Sequence, residues 1–390
     1  MKSMKIDNEV EQMRPFIVME VLERASEMEK MGIDVVHLEV GEPDFDAPAC
    51  VIEAEVEAIR EGRTHYTHSL GLAELRCEIA EFYEREYGVR VSPEQIVVTS
   101  GSSPAILMCV LALCSAGDEV ILSNPGYACY RNFVLAGRGV PVEIEVSAEN
   151  GFQYDVAKVE AAITHRTKTL IVNSPMNPSG TLVDDAVFEA LARLPFPIIS
   201  DEIYHGLVYG GRAHSILEFT DNAFVINGFS KRFAMTGMRL GYVIAPEKYI
   251  RTMQILQQNL FICAPSTAQW AGIAALRGGD AEVQRMRKIY DERRKFMITR
   301  LREIGFRIAV EPKGAFYVLA DARRFTADSY AFAFDVLEKA HVGITPGVDF
   351  GSNGEGFIRF SYANSIEKMA EGLNRLEEYL SGKEAIFATK

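Results

Sequence analysis

Residues 227–242 read "NGFSKRFAMTGMRLGY". The apolar run "AFVIN" leads in and "LGYVIAP" leads out, so two buried strands bracket a turn holding Ser230, Lys231, Arg232 and Arg239. Charges in such a turn are ordinarily solvated. A lysine at the end of an apolar strand is also a candidate nucleophile, because desolvation and nearby cations favour its neutral amine. Arginine adds a planar fork for phosphate or carboxylate oxygens. Solvated loop charge, or a reactive amine beside an anion clamp, are thus the two readings that the rest of the chain must separate.

Working outward, "QIVVTSG", "DEVILSNP", "KTLIVNSP", "PFPIISDE" and "GYVIAP" are further short apolar strands, each ended by polar or turn residues. They alternate with helical stretches such as "SPAILMCVLALC". Runs buried on both faces and separated by helices predict an α/β fold with a mostly parallel, helix-covered sheet. Residues 16–31, "FIVMEVLERASEMEKM", have helical spacing, and "DVVHLEVGEPDF" reads as a short strand followed by a turn on Gly41 and Pro43. From about residue 281 a long charged amphipathic helix leads into "GAFYVLAD", a helical "SYAFAFDVLEKAH", "FIRFSYAN" and a last helix, which predicts a separate α+β unit. A chain of 390 residues suits one large domain plus a smaller one. No internal repeat or low-complexity segment interrupts the pattern.

The net charge of −13 makes nucleic acid and anionic membrane surfaces poor partners at long range. The longest apolar run, Ala105 to Cys114, falls far short of the roughly 20 residues that span a bilayer, so it reads as a buried helix. "MKSMKIDNEV" lacks the apolar core of a leader peptide. Cys50, Cys77, Cys109, Cys114, Cys129 and Cys263 form no CxxC pair, and they read as reduced, mostly buried thiols of a cytoplasmic protein.

Four stretches carry chemistry. In "VVTSGSSPAILM", a strand runs into Gly101, Ser102 and Ser103. Ser103 is the expected N-cap and Pro104 the expected first helical residue. Free N–H groups, two hydroxyls and the helix dipole make an anion site suited to phosphate, although an ordinary capped helix has the same start. "NSPMNPSG", Asn173 to Gly180, follows a strand, and turn chemistry accounts for its prolines and glycine without requiring Asn177. In "IISDEIYHGLVY", Asp201 falls just past a strand's C-terminal end, where open α/β sheets bind ligands. That carboxylate is a helix cap, or the partner of a buried cationic nitrogen. No His or Cys cluster accompanies it, so no metal is expected. The opening stretch is the fourth.

In this order and spacing, Gly-Ser-Ser, Tyr127, Asn-Pro-x-Gly, Asp-x-x-Tyr and Ser-Lys followed by Gly-x-Arg-x-Gly resemble the class I/II pyridoxal-phosphate aminotransferases of fold type I, the aspartate aminotransferase superfamily. The resemblance runs from "EVGEPDF" to "IRFSYAN". It implies a large domain over residues 47–284, with a mostly parallel seven-stranded sheet covered by helices. The small domain would combine residues 1–46 with 285–390. It implies pyridoxal 5'-phosphate held by Lys231 as an internal aldimine, with the freed amine then moving the substrate's α-proton. Asp201 would pair with the ring nitrogen, Asn177 and Tyr204 would bond the phenolic oxygen, and Tyr127 would stack on the ring. Gly101, Ser102, Ser103, Ser230 and Arg239 would form the phosphate site. Tyr66, in "HYTHSLGLAELR", would reach the neighbouring subunit's phosphate, which requires a homodimer. Arg359 would fork the substrate carboxylate, with Gly41, Asn173 and Asn177 beside it.

The implied reaction is ping-pong transfer of an amino group from an L-amino acid to a 2-oxo acid. The departures are mild: Ser179 stands where threonine is more usual, Met176 where asparagine is frequent, and Met238 where tryptophan or leucine is. A carbon–sulfur β-lyase using the same cofactor is the alternative, since both reactions begin with loss of the α-proton. A ligand-sensing regulator on this scaffold would carry a DNA-binding domain, for which the sequence shows neither room nor charge. In the family that the chain resembles the N-terminal segment often lines the pocket, so the resemblance implies that Phe16, Ile17 and Val18 lie near an apolar site for the substrate side chain.

Overall fold

The computed structural model describes residues 12–388, with side chains to 382. Residues 1–11, assigned above to the small domain, lie outside the described residues. In chain order the helices and strands are α1 (Ile17–Lys30), β1 (Val36–His37), α2 (Ala49–Arg60), α3 (Ala73–Tyr87), β2 (Ile96–Thr99), α4 (Ser102–Leu113), β3 (Glu119–Asn124), α5 (Cys129–Ala136), β4 (Val140–Glu145), α6 (Val156–Ala161), β5 (Thr167–Asn173) and α7 (Asp185–Leu191). Then come β6 (Ile198–Asp201), β7 (Ala223–Gly228), β8 (Gly241–Ile244), α8 (Glu247–Leu260), α9 (Ser266–Gly278), α10 (Asp280–Ile304), β9 (Tyr317–Asp321), α11 (Ser329–Ala340), β10 (Val342–Gly343), β11 (Thr345–Pro346), β12 (Phe357–Ser361) and α12 (Ile366–Ala388).

Seven strands form one sheet in the order β2-β8-β7-β6-β5-β3-β4. The pairings β7–β6–β5–β3–β4 are parallel, and β8 runs antiparallel to both of its neighbours. Alternate residues feed two apolar layers, as a two-residue repeat demands. Val97, Ile199, Phe224 and Val243 pack with Ala105, Met108 and Cys109 of α4 on one side. Val98, Ile198, Val225 and Ile244 join the larger core on the other. The run Ala105–Cys114 is thus largely a buried helix covering the sheet, as its composition predicts. Edge strand β4 escapes the sequence pattern, because its residues are largely exposed or half-buried and no apolar run marks it.

Outside this sheet, β11-β12-β9 form a three-stranded antiparallel sheet, and β1 pairs in parallel with β10. Val36 and His37 are therefore joined to Val342 and Gly343 of the C-terminal part of the chain. α10 runs unbroken from Asp280 to Ile304. All six cysteines are free, but only Cys109 is fully buried and Cys77 is exposed. The expectation of mostly buried thiols therefore fails, since Cys50, Cys114, Cys129 and Cys263 are only partly buried at element ends and in a loop. Among the described residues no helix is long and apolar enough to cross a membrane.

Candidate active site

The parallel run of β5, β6 and β7 puts their C-terminal ends on one edge of the sheet. Because β8 is antiparallel, its entry lies on that same edge, and the turn between β7 and β8 returns Lys231 and Arg239 to it. A cavity of about 360 Å³ opens there. Lys231 reaches into it and donates from Nζ to the Gly41 carbonyl at 2.6 Å. Burial, with help from Arg359 and Arg239, lowers the amine to a pKa of about 8, against the opposing pull of Glu42 and Asp201. This is the reactive-amine reading of the turn, not the solvated one.

The anion cradle differs in detail from the sequence expectation. The N-cap of α4 is Gly101, not Ser103, and Pro104 is the third helical residue. Gly101 holds φ at +95°, a region open to glycine, so the helix starts two residues early. Ser102 and Ser103 then lie in the first turn and line the cavity together with Ser230 and Arg239. A Cβ at position 101 would sit 2.7 Å from Nη2 of Arg239, so glycine also allows that guanidinium to close on the helix start. Arg239 itself has φ +54°, a strained conformation for a side-chain residue that costs about 1–2 kcal/mol. The β8 entry approaches equally closely: a Cβ on Gly241 would meet Gly101 and the Ser102 nitrogen within 3.0 Å.

Asp201 is the last residue of β6, not one beyond it, because its backbone still pairs with Asn173 and Ile226 across the sheet. Its carboxylate is buried. It accepts from the Tyr130 hydroxyl at 2.6 Å and from the Ile203 N–H at 3.1 Å. Burial pushes it up to about 6, although both hydrogen bonds and Lys231 act the other way. Asn173 donates to the Asp201 carbonyl at 2.9 Å and accepts the Asn177 N–H at 2.8 Å, which fixes the "NSPMNPSG" turn over the strand ends. Tyr204 and Tyr317 share a hydroxyl–hydroxyl bond of 3.0 Å.

Arg359 enters from β12 of the smaller sheet and is only 2% exposed. One nitrogen donates to Asn177 Oδ1 at 3.0 Å. Another donates to the Glu39 carbonyl at 2.6 Å and to Thr345 Oγ1 at 3.1 Å. Its Nε has no hydrogen-bond partner. The Tyr317 ring packs 4.3 Å from the guanidinium carbon. A buried cation held by neutral groups at a cavity wall is an anion site waiting for an anion. Gly41 belongs to the segment that crosses between Lys231 and Arg359, and a Cβ there would strike the Tyr317 hydroxyl at 2.7 Å.

One cavity therefore gathers Gly41, Ser102, Ser103, Tyr127, Asn173, Asn177, Asp201, Tyr204, Ser230, Lys231, Arg239 and Arg359 from stretches up to 318 positions apart in the chain (359 − 41). Gly101 shapes the cradle without lining the cavity, and Tyr66 stands away from it, 80% exposed. Sequence reasoning missed Tyr130 and Tyr317. Tyr130 lies three residues after Tyr127 and one residue into α5, close enough in sequence to have been a legible signal. Tyr317 had none. Among the described residues no cluster of three potential metal ligands occurs.

The profile of "Aminotransferase class I and II" matches residues 33–376. The chain belongs to the class I and II aminotransferases. The (5-formylfuran-3-yl)methyl phosphate transaminase of Methanocaldococcus jannaschii is 40% identical over 94% of this chain and 97% of its own length. The aspartate/prephenate aminotransferase of Thermus thermophilus is 39% identical over 96% and 98%. Among solved structures, Thermus thermophilus aspartate aminotransferase with maleate superposes with a TM-score of 0.92 at 38% identity, covering 97% of this chain and 100% of that one. This class I/II aminotransferase is thus a transaminase of fold type I that uses pyridoxal phosphate, and the β-lyase alternative is not favoured. The site fits that cofactor. It offers a neutralisable amine, a buried carboxylate lacking a cationic partner close enough to hold its pKa down, and a serine-lined helix start closed by an arginine.

Proposed function

We propose that the protein moves an amino group from an L-amino acid to a 2-oxo acid in two half-reactions, with pyridoxal phosphate held at Lys231. The observation that carries this reading is a low-pKa amine and a buried guanidinium that line one cavity. When bound, the cofactor supplies an electron sink for the pair left on the substrate's α-carbon. Lys231 would hold the cofactor and, once displaced, carry the proton to and from that carbon. Its amine is suited to this because a pKa of about 8 leaves a useful neutral fraction near pH 7. Asp201, steadied by Tyr130, would hold a cationic ring nitrogen. Asn177 and Tyr204 would face the phenolic oxygen, and Tyr127 the ring.

Ser102, Ser103, Ser230 and Arg239, with the N–H groups that Gly101 frees, would take the phosphate. Arg359, with Asn173, Asn177 and Gly41 beside it, would fork the substrate α-carboxylate. The names of the relatives keep aspartate, prephenate and a furan phosphate aldehyde in view as substrate classes, and a biosynthetic role with them. Residues 47–284 would form the cofactor domain, with the flanking segments as the small domain and α10 bridging the two.

A homodimer would complete the site. Tyr66 is well placed to serve a partner because its ring is exposed, and Ile52, Ile59, Leu260 and Ile262 leave apolar surface open on α2 and around the end of α8. The free cysteines favour a reducing compartment, the cytoplasm. The decisive test is Lys231→Ala. It should lose transamination and lose the cofactor mass that borohydride fixes to the wild-type chain. Normal turnover by this variant would refute the assignment. Mixing it with a Tyr66→Phe protein should restore activity through hybrid dimers if the site is shared.

A further inference from the structure

The cavity's charges leave the side-chain end of the substrate without a partner. Among the described residues its lining cations are Lys231, Arg239 and Arg359, and the proposed reading uses all three for cofactor and α-carboxylate. Much of the remaining wall is apolar. Phe16, Val18, Met19 and Leu22, at the start of α1, line the cavity, and among the described residues the acidic or basic side chains there beyond the three cations and Asp201 are the carboxyls of Glu39 and Glu42. Phe16 packs edge-on against Tyr127, with ring centroids 5.9 Å apart, which ties this wall to the ring expected to face the cofactor. Met19 stays 44% exposed although it borders the cavity, so its apolar surface is open to a ligand.

The wall has an unusual fastening. Phe16, the N-cap of α1, gives no side-chain cap, which leaves the first-turn N–H groups of the helix in need of acceptors. Asp349 supplies them from more than 330 residues away. Its Oδ1 accepts the Ile17 N–H at 2.8 Å and its Oδ2 accepts the Val18 N–H at 3.3 Å. The carboxylate is buried, and its charge favours the positive end of the helix. Arg14 adds a second tie through two hydrogen bonds with Asn132.

We propose that Asp349 is a positioning residue that fixes the first turns of α1 as an apolar wall of the substrate cavity, and that this wall selects amino donors with apolar side chains over dicarboxylic ones. The inference rests on the assignment of Arg359 to the α-carboxylate. Methionine and glutamate have similar length and differ in the terminal group, so they isolate the effect.

The test measures half-reaction kinetics of the cofactor-loaded protein with each donor, and calorimetric binding of the unreactive acids 4-methylvalerate and glutarate. Methionine should exceed glutamate in kcat/KM by about tenfold or more, and 4-methylvalerate should bind more tightly than glutarate. Asp349→Ala should raise KM for methionine about tenfold, with kcat and the glutamate KM changed less than about twofold. Asp349→Asn, which keeps one acceptor oxygen, should fall between. If Asp349→Ala does not fold, Met19→Arg places a cation on the exposed part of the wall and should swing the preference toward glutamate. Glutamate and glutarate preferred by the wild type would overturn the inference alone, pointing to a cation supplied from elsewhere. Equal loss of kcat for both donors in Asp349→Ala would also overturn it. Failure of every donor to react would remove the transaminase reading and this inference together.

Discussion

Replacing Tyr130 by Phe tests how the buried Asp201 carboxylate is held. The phenol donates at 2.6 Å to Oδ2, and among the described residues the other hydrogen bond to the carboxylate comes from the Ile203 N–H. A hydrogen bond to an ionised group is worth about 1.5–3 kcal/mol, and each pKa unit corresponds to about 1.4 kcal/mol. Losing the bond should therefore raise Asp201 from about 6 by roughly one to two units.

The sign follows from linkage. The folded pKa already lies above the ordinary 3.8, so stability from this site is fully present below 3.8 and is lost as pH rises through about 6. In the variant the loss continues to about pH 7–8. Urea unfolding of the apo protein at pH 5 and pH 8 gives the comparison. The destabilisation by Tyr130→Phe should be about 1 kcal/mol or less at pH 5, where the folded carboxyl is protonated, and about 1.5–3 kcal/mol at pH 8. Equal destabilisation at the two pH values would refute the claim that Tyr130 acts on an ionised Asp201.

Three further outcomes follow from the same geometry. In the apo protein, reaction of Lys231 with an aldehyde reagent should rise with a midpoint near pH 8, because the depressed amine is neutral above that pH; a midpoint near the ordinary lysine value of 10.5 would contradict its burial among cations. Gly101→Ala should lose about 1–2 kcal/mol of stability from its positive φ, and should weaken inorganic phosphate binding by displacing Arg239, both measurable by thermal shift with and without phosphate. Arg359→Lys keeps the charge but loses the fork, so KM for the amino donor should rise by about ten- to a hundredfold in steady-state assays while thermal stability falls modestly; an unchanged KM would remove Arg359 from the carboxylate site.

The sheet was legible because its strands are short apolar runs buried on both faces, a pattern that local composition alone imposes. Lys231, Asp201, Asn177 and Arg239 were legible because each stands within a few residues of such a strand's end, where chain direction brings ligand groups together. The exposed edge strand β4 was not, since nothing apolar marks it. The true start of α4 was not either. A serine N-cap is the better local choice, but Gly101 adopts a conformation that serine avoids, and the close approach of Arg239 and Gly241 depends on it.

What the sequence by itself determined was the kind of chemistry: amine, carboxylate, anion cradle, and the order in which they come along an α/β chain. What only the tertiary structure decided was their electrostatic state and their limits. Burial set Lys231 near 8 and Asp201 near 6, and the packing of elements distant in the chain brought Tyr130 of α5 to Asp201 and Tyr317 of β9 to Arg359 of β12. Asp349 met the first turn of α1 across more than 330 residues. Local pattern records which groups a segment carries, whereas pKa, pocket shape and side-chain selectivity depend on solvent exclusion and on neighbours that are remote in sequence.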